Sequence, residues 1–226
     1  MQDKILDIKE RIRKSAEKVG RNPDEITLVA VSKRHLPEKI IEAAKYGLTE
    51  FGENYAQELR DKAKLISEPI NWHFIGPIQE NKIKYLVGTA KLIHTVSSPK
   101  ILNAIQKKAE KLGIIQEVLV QIKTGDEANK SGLLPNEVFD FLGNFQDTPN
   151  VKCIGIMMIP PFDPNPENTR KYFVEMKNIF DEINAIFDFN LTHISMGMSG
   201  DFEIAIEEGA TIVRIGTAIF GQRPPK

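Results

Sequence analysis

Eight short apolar runs alternate with helical patterns along this chain, and this alternation limits the possible folds more than any other feature. The runs lie at 26–32, 49–52, 71–75, 91–95, 115–122, 151–157, 191–195 and 211–215. The first run, Ile26 to Val31, does not alternate between apolar and polar residues, which is typical of a parallel strand buried on both faces. Helical periodicity fills the intervals, at 37–46, 54–66, 80–87, 99–112, 135–144, 165–187 and 200–208.

Eight strand–helix units predict a closed (β/α)8 barrel, the TIM-barrel fold, with one extra helix before the first strand. The alternative is an open, doubly wound sheet. No G-x-G-x-x-G turn follows the first strand, however, and this favours the barrel. No linker rich in serine or glycine interrupts the chain. We therefore expect a single domain over 1–226, with the leading helix at 1–22 and the barrel at 26–221.

The balance of charges argues against a nucleic-acid partner. The chain has 30 basic and 31 acidic residues and a formal net charge of −1, so no basic surface dominates. No segment is long enough to cross a bilayer, and the charged N-terminal segment is unlike a signal peptide. Cys153 is the only cysteine, and the four histidines lack the spacing of a metal site. We expect a cytoplasmic protein without nucleic-acid, membrane or metal partners.

The first strand ends in Ser32 and Lys33. In barrels of this kind the chemistry takes place at the carboxyl ends of the strands. A lysine there can form a Schiff base with an aldehyde. The alternative is that Lys33 is an ordinary solvated lysine at a strand end.

The loops after the seventh and eighth strands predict an anion site. Ser199 and Gly200 precede a helical pattern, and Gly216 and Thr217 follow the last strand. Phosphate sites in such barrels are often built by these two loops, from backbone N–H groups and hydroxyls. Ser199 can also be interpreted as a helix N-cap, and Gly216 as a turn residue.

Arg214 lies between apolar residues inside the last strand. A buried guanidinium needs a partner, because an unpaired buried charge is strongly destabilising. One interpretation is an ion pair with a carboxylate such as Glu53. The other is a hydrogen bond from Arg214 to a heteroatom of a ligand.

These features together fit one ligand. A lysine at the end of strand one, a phosphate site after strands seven and eight, and an arginine between them match a molecule with an aldehyde, a phosphate and a ring heteroatom. Pyridoxal 5′-phosphate has all three groups.

The chain also resembles a known family, the YggS/PROSC pyridoxal phosphate homeostasis proteins, from about residue 26 to 221. Six motifs carry the resemblance: "VAVSK" (29–33), "FGENYAQE" (51–58), "WHFIGPIQENK" (72–82), "KSG" (130–132), "SMGMSGD" (195–201) and "VRIGTAIFG" (213–221). The resemblance implies a barrel like the N-terminal domain of alanine racemase.

The same resemblance implies a role for each matched residue. Lys33 would be the Schiff-base lysine. Ser199, Gly216 and Thr217 would bind the phosphate, Arg214 would meet the pyridine nitrogen, and Asn54 would lie beside the ring. Gly200 departs from relatives that have an acidic residue there, which should ease the approach of the backbone to the phosphate.

Binding a cofactor does not establish catalysis, and two features favour a carrier. The first is Arg214, because a cation beside the ring nitrogen would disfavour its protonation and so weaken the ring as an electron acceptor. The second is the lack of a second base: the racemases of this fold take a tyrosine from an additional domain, which we do not find after the barrel. We therefore expect the protein to be a buffer or carrier of pyridoxal phosphate that affects vitamin B6 and amino-acid balance. We expect it to be a monomer and to have no catalytic residue. Apo forms of pyridoxal-phosphate enzymes are the expected recipients. The alternatives are a weak racemase-like enzyme and a barrel enzyme in which Lys33 reacts with a sugar phosphate.

Overall fold

A computed structural model describes residues 1–125, 131–187 and 189–222 of the chain. Lys130, the first residue of the "KSG" motif, lies outside the described residues. Among the helices that the model describes, none has both the length and the apolar character that spanning a membrane requires.

Within the described ranges, eight parallel strands close into a barrel in the order in which they occur in the chain. They are β1 (Thr27–Val31), β2 (Glu50–Glu53), β3 (Asn71–Phe74), β4 (Leu92–Val96), β5 (Gln116–Gln121), β6 (Val151–Met157), β7 (His193–Ser195) and β8 (Ile212–Ile215). The last strand pairs with the first, with Thr27 opposite Ile212 and Ala30 opposite Ile215. The predicted barrel is therefore confirmed, and the open sheet is wrong.

Helices alternate with the strands and cover the outside of the barrel. They are α1 (Gln2–Lys18), α2 (Pro37–Lys45), α3 (Ala56–Leu65), α4 (Pro99–Leu112), α5 (Val138–Gly143), α6 (Arg170–Ile186), α7 (Phe202–Glu207) and α8 (Thr217–Phe220). The predicted helix at 80–87 is instead a 3-10 helix, Glu80–Tyr85. The helix predicted to begin at 200 begins at Phe202, and α8 was not predicted because it has only four residues.

The inside of the barrel is a core of its own, separate from the one between the strands and the helices. One apolar cluster lies in it, and its buried members are Val29, Leu92, Leu119, Ile154, Met157 and Ile212. Because side chains alternate between the two faces of a strand, Val31, the last residue of β1, shares the inward direction of Val29. Lys33 follows in the turn after β1, and both residues reach the carboxyl end of the barrel.

A close backbone contact joins the ends of β2 and β3. A Cβ atom at Gly76 would lie 2.0 Å from the carbonyl oxygen of Asn54, which no side chain can tolerate. Glycine at 76 is therefore required for the two strand ends to approach each other, and it fixes the position of Asn54 at the mouth of the barrel.

Gly76→Ala should lower the free energy of unfolding by at least about 2 kcal/mol, because the added methyl group forces these backbones apart. Urea denaturation measures the change. Gly143→Ala is the matched control, since a Cβ there meets no atom within 4 Å, and it should be neutral or slightly stabilising. Equal stability of the Gly76→Ala variant and the natural chain would contradict the contact.

Candidate functional site

A cavity of about 680 Å³ opens at the carboxyl ends of the strands. This size is in the range usual for cofactor and small-molecule sites. The structure brings all seven residues predicted from the sequence to its wall: Lys33, Asn54, Ser199, Gly200, Arg214, Gly216 and Thr217. The loop after β6, from Ile159 to Pro166, supplies another side of the wall, which sequence reasoning did not assign to the site.

The turn that carries Lys33 is held in an uncommon backbone conformation. Arg34 has a φ of 66°, in the left-handed region that residues other than glycine rarely adopt. Its backbone N–H donates to Glu58 Oε2 at 2.8 Å. This hydrogen bond ties the turn to α3 and fixes the direction in which the chain leaves β1.

A buried polar network lies behind this turn, between the barrel and α3. Ser32 Oγ donates to Glu53 Oε1 at 2.6 Å. Lys62 Nζ donates to Glu53 Oε1 at 2.8 Å, to the Ser32 carbonyl at 2.9 Å and to Glu58 Oε2 at 2.9 Å. Sequence reasoning missed Lys62, although its position three residues after the buried Leu59 placed it on the apolar face of the helix.

Burial raises the pKa of Glu53 to about 7, even though Lys62 and the Ser32 hydroxyl both lower it. The carboxyl is completely buried, and the loss of hydration disfavours its charged form. Glu53 therefore changes its protonation near neutral pH, directly beneath the turn that carries Lys33.

The loop after β7 is a tight turn closed by Asp201. The Met198 N–H donates to Asp201 Oδ1 at 2.6 Å, and the Asp201 N–H donates back to the Met198 carbonyl at 3.1 Å. The N-cap residue of α7 is Asp201, so the interpretation of Ser199 as an N-cap is wrong. Ser199 and Gly200 instead form the tip of this turn, beside the cavity.

Four residues at the ends of β7 and β8 line the cavity, and each has a backbone N–H group. Within residues 1–125, 131–187 and 189–222, none of these four N–H groups donates a hydrogen bond; they belong to Ser199, Gly200, Gly216 and Thr217. The adjoining helices have six and four residues, too short for a full macrodipole. Individual N–H groups and hydroxyls, rather than a helix dipole, are therefore what this wall presents to an anion.

The two glycines of this wall have different surroundings. A Cβ at Gly200 would meet no atom within 4 Å, whereas one at Gly216 would lie 3.3 Å from the Val31 carbonyl oxygen. Gly216 has a φ of −112°, which any residue can adopt. Gly216 does lie in the connection between β8 and α8, but its backbone conformation does not require glycine, and the crowding against Val31 explains the glycine better.

Arg214 is buried at the floor of the cavity and contacts neutral groups. One guanidinium nitrogen donates to Ser195 Oγ at 2.6 Å, and the other donates to the Met158 carbonyl at 2.8 Å. The ion pair with Glu53 is wrong, because Glu53 lies on the outer face of the barrel and pairs with Lys62. Burial lowers the pKa of Arg214 to about 10, so the side chain remains cationic at neutral pH.

Asn54 presents an unsatisfied polar atom. Its Oδ1 is buried and accepts no hydrogen bond from the described residues, although the side chain lines the cavity. A buried acceptor without a donor costs roughly 1–3 kcal/mol. A ligand with a donor group in this part of the cavity would remove that cost.

The chain matches the family model described as "Alanine racemase, N-terminal domain" over residues 6–224. A protein of Aquifex aeolicus named "Pyridoxal phosphate homeostasis protein" is 42% identical over 98% of this chain and 97% of its own length. The protein of the same name from Escherichia coli K12 is 37% identical over 97% of this chain and 95% of its own length.

This chain belongs to the pyridoxal phosphate homeostasis protein family. Among solved structures, PipY of Synechococcus elongatus with pyridoxal phosphate bound matches with a TM-score of 0.82 and 30% identity, over 95% of this chain and 100% of PipY. Alanine racemase of Enterococcus faecalis has the same fold, with a TM-score of 0.70 and 18% identity, and the match covers 96% of this chain but 58% of the racemase.

Glu53→Gln should remove the part of the pH dependence of the free energy of unfolding that Glu53 causes. The folded chain holds a proton on Glu53 that the unfolded chain releases between about pH 4.5 and about pH 7. The free energy of unfolding of the natural chain, relative to the variant, should therefore fall as the pH rises through this window, by on the order of 3 kcal/mol.

Urea unfolding of both proteins between about pH 5 and about pH 8 measures this difference. Glu50→Gln is the control, because the pKa of Glu50 is lowered to about 2 and cannot change the slope in this range. A difference between natural chain and Glu53→Gln that is constant with pH would contradict the raised pKa.

Proposed function

We propose that this protein binds pyridoxal 5′-phosphate through Lys33 and acts in pyridoxal phosphate homeostasis as an intracellular buffer or carrier. One observation supports this above the others. A lysine, a buried arginine and four residues whose backbone N–H groups have no acceptor among the described residues line a single cavity. The proposal is further supported by PipY, 30% identical, whose solved structure has the cofactor bound, and by the names of the curated relatives.

The residues present fit the cofactor. Pyridoxal phosphate supplies an aldehyde that condenses with amines and a ring that accepts electrons. The cavity volume of about 680 Å³ is ample for it. The orphaned Asn54 Oδ1 calls for a polar partner, and the open space at Gly200 allows a bulky anion to approach the backbone.

Lys33 would hold the aldehyde end. Its amine would attack the carbonyl carbon, a C=N bond would form, and the aldehyde oxygen would leave as water. The network of Ser32, Glu53 and Lys62 would keep the turn in place during this exchange, since it fixes the backbone next to Lys33 on the helix side.

The phosphate would be bound where the loops after β7 and β8 meet. Ser199, Gly200, Gly216 and Thr217 offer backbone N–H groups, and two of them add hydroxyls. Asp201 also lines the cavity, but its Oδ1 accepts the Met198 N–H. The carboxylate would therefore shape the turn rather than meet the phosphate.

Arg214 would face the ring nitrogen of the cofactor. A guanidinium has five N–H groups and no acceptor, so this partner would keep the nitrogen unprotonated. An unprotonated ring withdraws electrons less strongly, which weakens acid–base chemistry on a bound amino acid.

The acidic groups of the described cavity wall favour a carrier over a racemase-like enzyme. Asp163 Oδ1 accepts hydrogen bonds from the Asn165 N–H at 2.9 Å and from Asn168 Nδ2 at 3.0 Å, and Asp201 is bound in the turn after β7. Both carboxylates therefore hold loops and are poorly placed to act as a second base.

Recipients of the cofactor would be apo forms of enzymes that use the same cofactor. The protein would act as a monomer in the cytoplasm.

Reduction of the cofactor-loaded protein with borohydride should attach a pyridoxyl group to Lys33, because the reagent reduces the C=N bond in place. Peptide mapping by mass spectrometry identifies the modified residue. Lys33→Ala should lose the label and the visible absorption band, while a weaker, phosphate-anchored binding remains. Lys123→Ala is the control, since Lys123 lines an adjoining cavity of about 170 Å³ and its removal should leave the label unchanged. A label on any other lysine would reject the proposed role of Lys33.

A carrier should exchange the α-proton of amino acids far more slowly than an enzyme does. We expect rates well below about 1 s⁻¹ for the loaded protein in deuterium oxide with single amino acids, followed by proton NMR. Transfer of the cofactor to an apo-aminotransferase, seen as recovered activity of the acceptor, should occur in the same preparation. Exchange at or above about 1 s⁻¹ would support the racemase-like alternative.

A further inference from the structure

A chain of polar side chains crosses the interior of the barrel and ends on Arg214. Arg214 donates to Ser195 Oγ at 2.6 Å, and Ser195 Oγ lies 2.9 Å from His94 Nδ1. His94 Nε2 lies 2.8 Å from His73 Nδ1, and His73 Nε2 lies 2.7 Å from Glu50 Oε2. These are all hydrogen-bond distances. The chain therefore joins the floor of the cavity to the amino end of β2.

The path runs through the inside of the barrel. Ser195 on β7 meets His94 on β4, and these strands are not neighbours in the sheet. Ser195 and His94 are completely buried, and His73 is 2% exposed. In the intact protein, solvent therefore does not reach the middle of the chain, and each of these three residues depends on its neighbours for hydrogen bonds. The bond of His73 to Glu50, the first residue of β2, places His73 deep in the barrel, away from the carboxyl rim.

When each histidine ring carries one proton, the carboxylate end of the chain determines the direction of every hydrogen bond in it. An ionised carboxylate can only accept and a guanidinium can only donate, so His73 donates from Nε2 to Glu50. The unprotonated Nδ1 of His73 then accepts from His94 Nε2, and His94 Nδ1 accepts from the hydroxyl of Ser195. Ser195 Oγ in turn accepts from Arg214.

The charges around the chain agree with this arrangement. Burial, together with the nearby His73 and Arg214, holds the pKa of His94 well below its usual value. Burial would raise the pKa of Glu50, but hydrogen bonds from His73 and Asn71 lower it to about 2. Lys91 also pairs with Glu50, at 3.2 Å. The acceptor end, Glu50, is therefore ionised and His94 is neutral at physiological pH.

We infer that Glu50, His73, His94 and Ser195 are positioning residues, which hold Arg214 as an oriented donor toward the ligand in the cavity. With its proton donated to His94, the Ser195 hydroxyl directs its lone pairs toward Arg214, and His73 and Glu50 keep His94 in the tautomer that accepts that proton. The inference rests on the proposed function for its ligand, because Arg214 would face the ring nitrogen of pyridoxal phosphate.

Substitution at the far end of the chain separates this role from simple packing. Glu50→Leu removes the terminal acceptor, while Glu50→Gln keeps a carbonyl oxygen that accepts from His73. Gln116→Leu is the matched control: Gln116 is a buried polar residue that begins β5 and donates to the Ala90 carbonyl, outside the chain. Ser195→Ala removes the direct contact with Arg214.

Each protein is titrated with pyridoxal phosphate, and the dissociation constant and the absorption maximum of the bound form are measured. Glu50→Leu and Ser195→Ala should weaken binding about tenfold and shift the absorption maximum, and Glu50→Gln should restore both to within about threefold of the natural chain. Gln116→Leu should lower the melting temperature but leave affinity and spectrum unchanged. Unchanged affinity and spectrum in both Glu50→Leu and Ser195→Ala would overturn the inference.

Nitrogen-15 NMR of the histidine rings in the ligand-free protein tests the same chain without the cofactor. We expect both His73 and His94 to carry their proton on Nε2, and a proton on Nδ1 of His94 would overturn the inference. The natural protein could instead fail to bind pyridoxal phosphate although the expected tautomers are present. That result would reject the proposed function but leave the chain of hydrogen-bonded side chains established.

Discussion

The pairing of β8 with β1 is the constraint on which the candidate site depends. These strands lie at opposite ends of the sequence, and their register sets Ala30 opposite Ile215. Three residues beyond Ala30 is Lys33, and two beyond Ile215 is Thr217. Closure of the barrel therefore brings the amine and the proposed anion-binding wall to adjacent strand ends. An open sheet with the same strands would separate them by its full width.

The described part of the chain buries two cations and stabilises them in different ways. Lys62 lies outside the barrel and pairs with the carboxylates of Glu53 and Glu58. Arg214 lies inside and donates to a hydroxyl and a carbonyl. These neutral partners satisfy the geometry of the guanidinium, and its charge is compensated only through space, by Asp201. The positive field of Arg214 therefore extends into the cavity, whereas that of Lys62 is cancelled locally.

Much of the fold and of the cavity wall could be predicted from the sequence, because both follow from local patterns. Strand positions come from apolar runs, and chemistry-bearing residues follow strands at their carboxyl ends. Contacts between side chains do not follow from such patterns. The supposed pair of Arg214 and Glu53 is wrong because the predicted second strand stopped one residue early, and nothing in the sequence told which face Glu53 occupies. The bond between His94 and Ser195 spans 101 positions in the chain and depends on how the closed strands are staggered.

The wall formed by Ser199, Gly200, Gly216 and Thr217 also has an evolutionary consequence. Its N–H donors belong to the main chain, so nearly every substitution at these positions changes the surroundings of a donor without deleting it. Only proline lacks the N–H group altogether. At Gly200, where a Cβ would point into open space, many residues can be accommodated. A chain that differs at this position can therefore keep the same N–H donors for the proposed anion site, and a search that requires a fixed side-chain motif there would fail to find it.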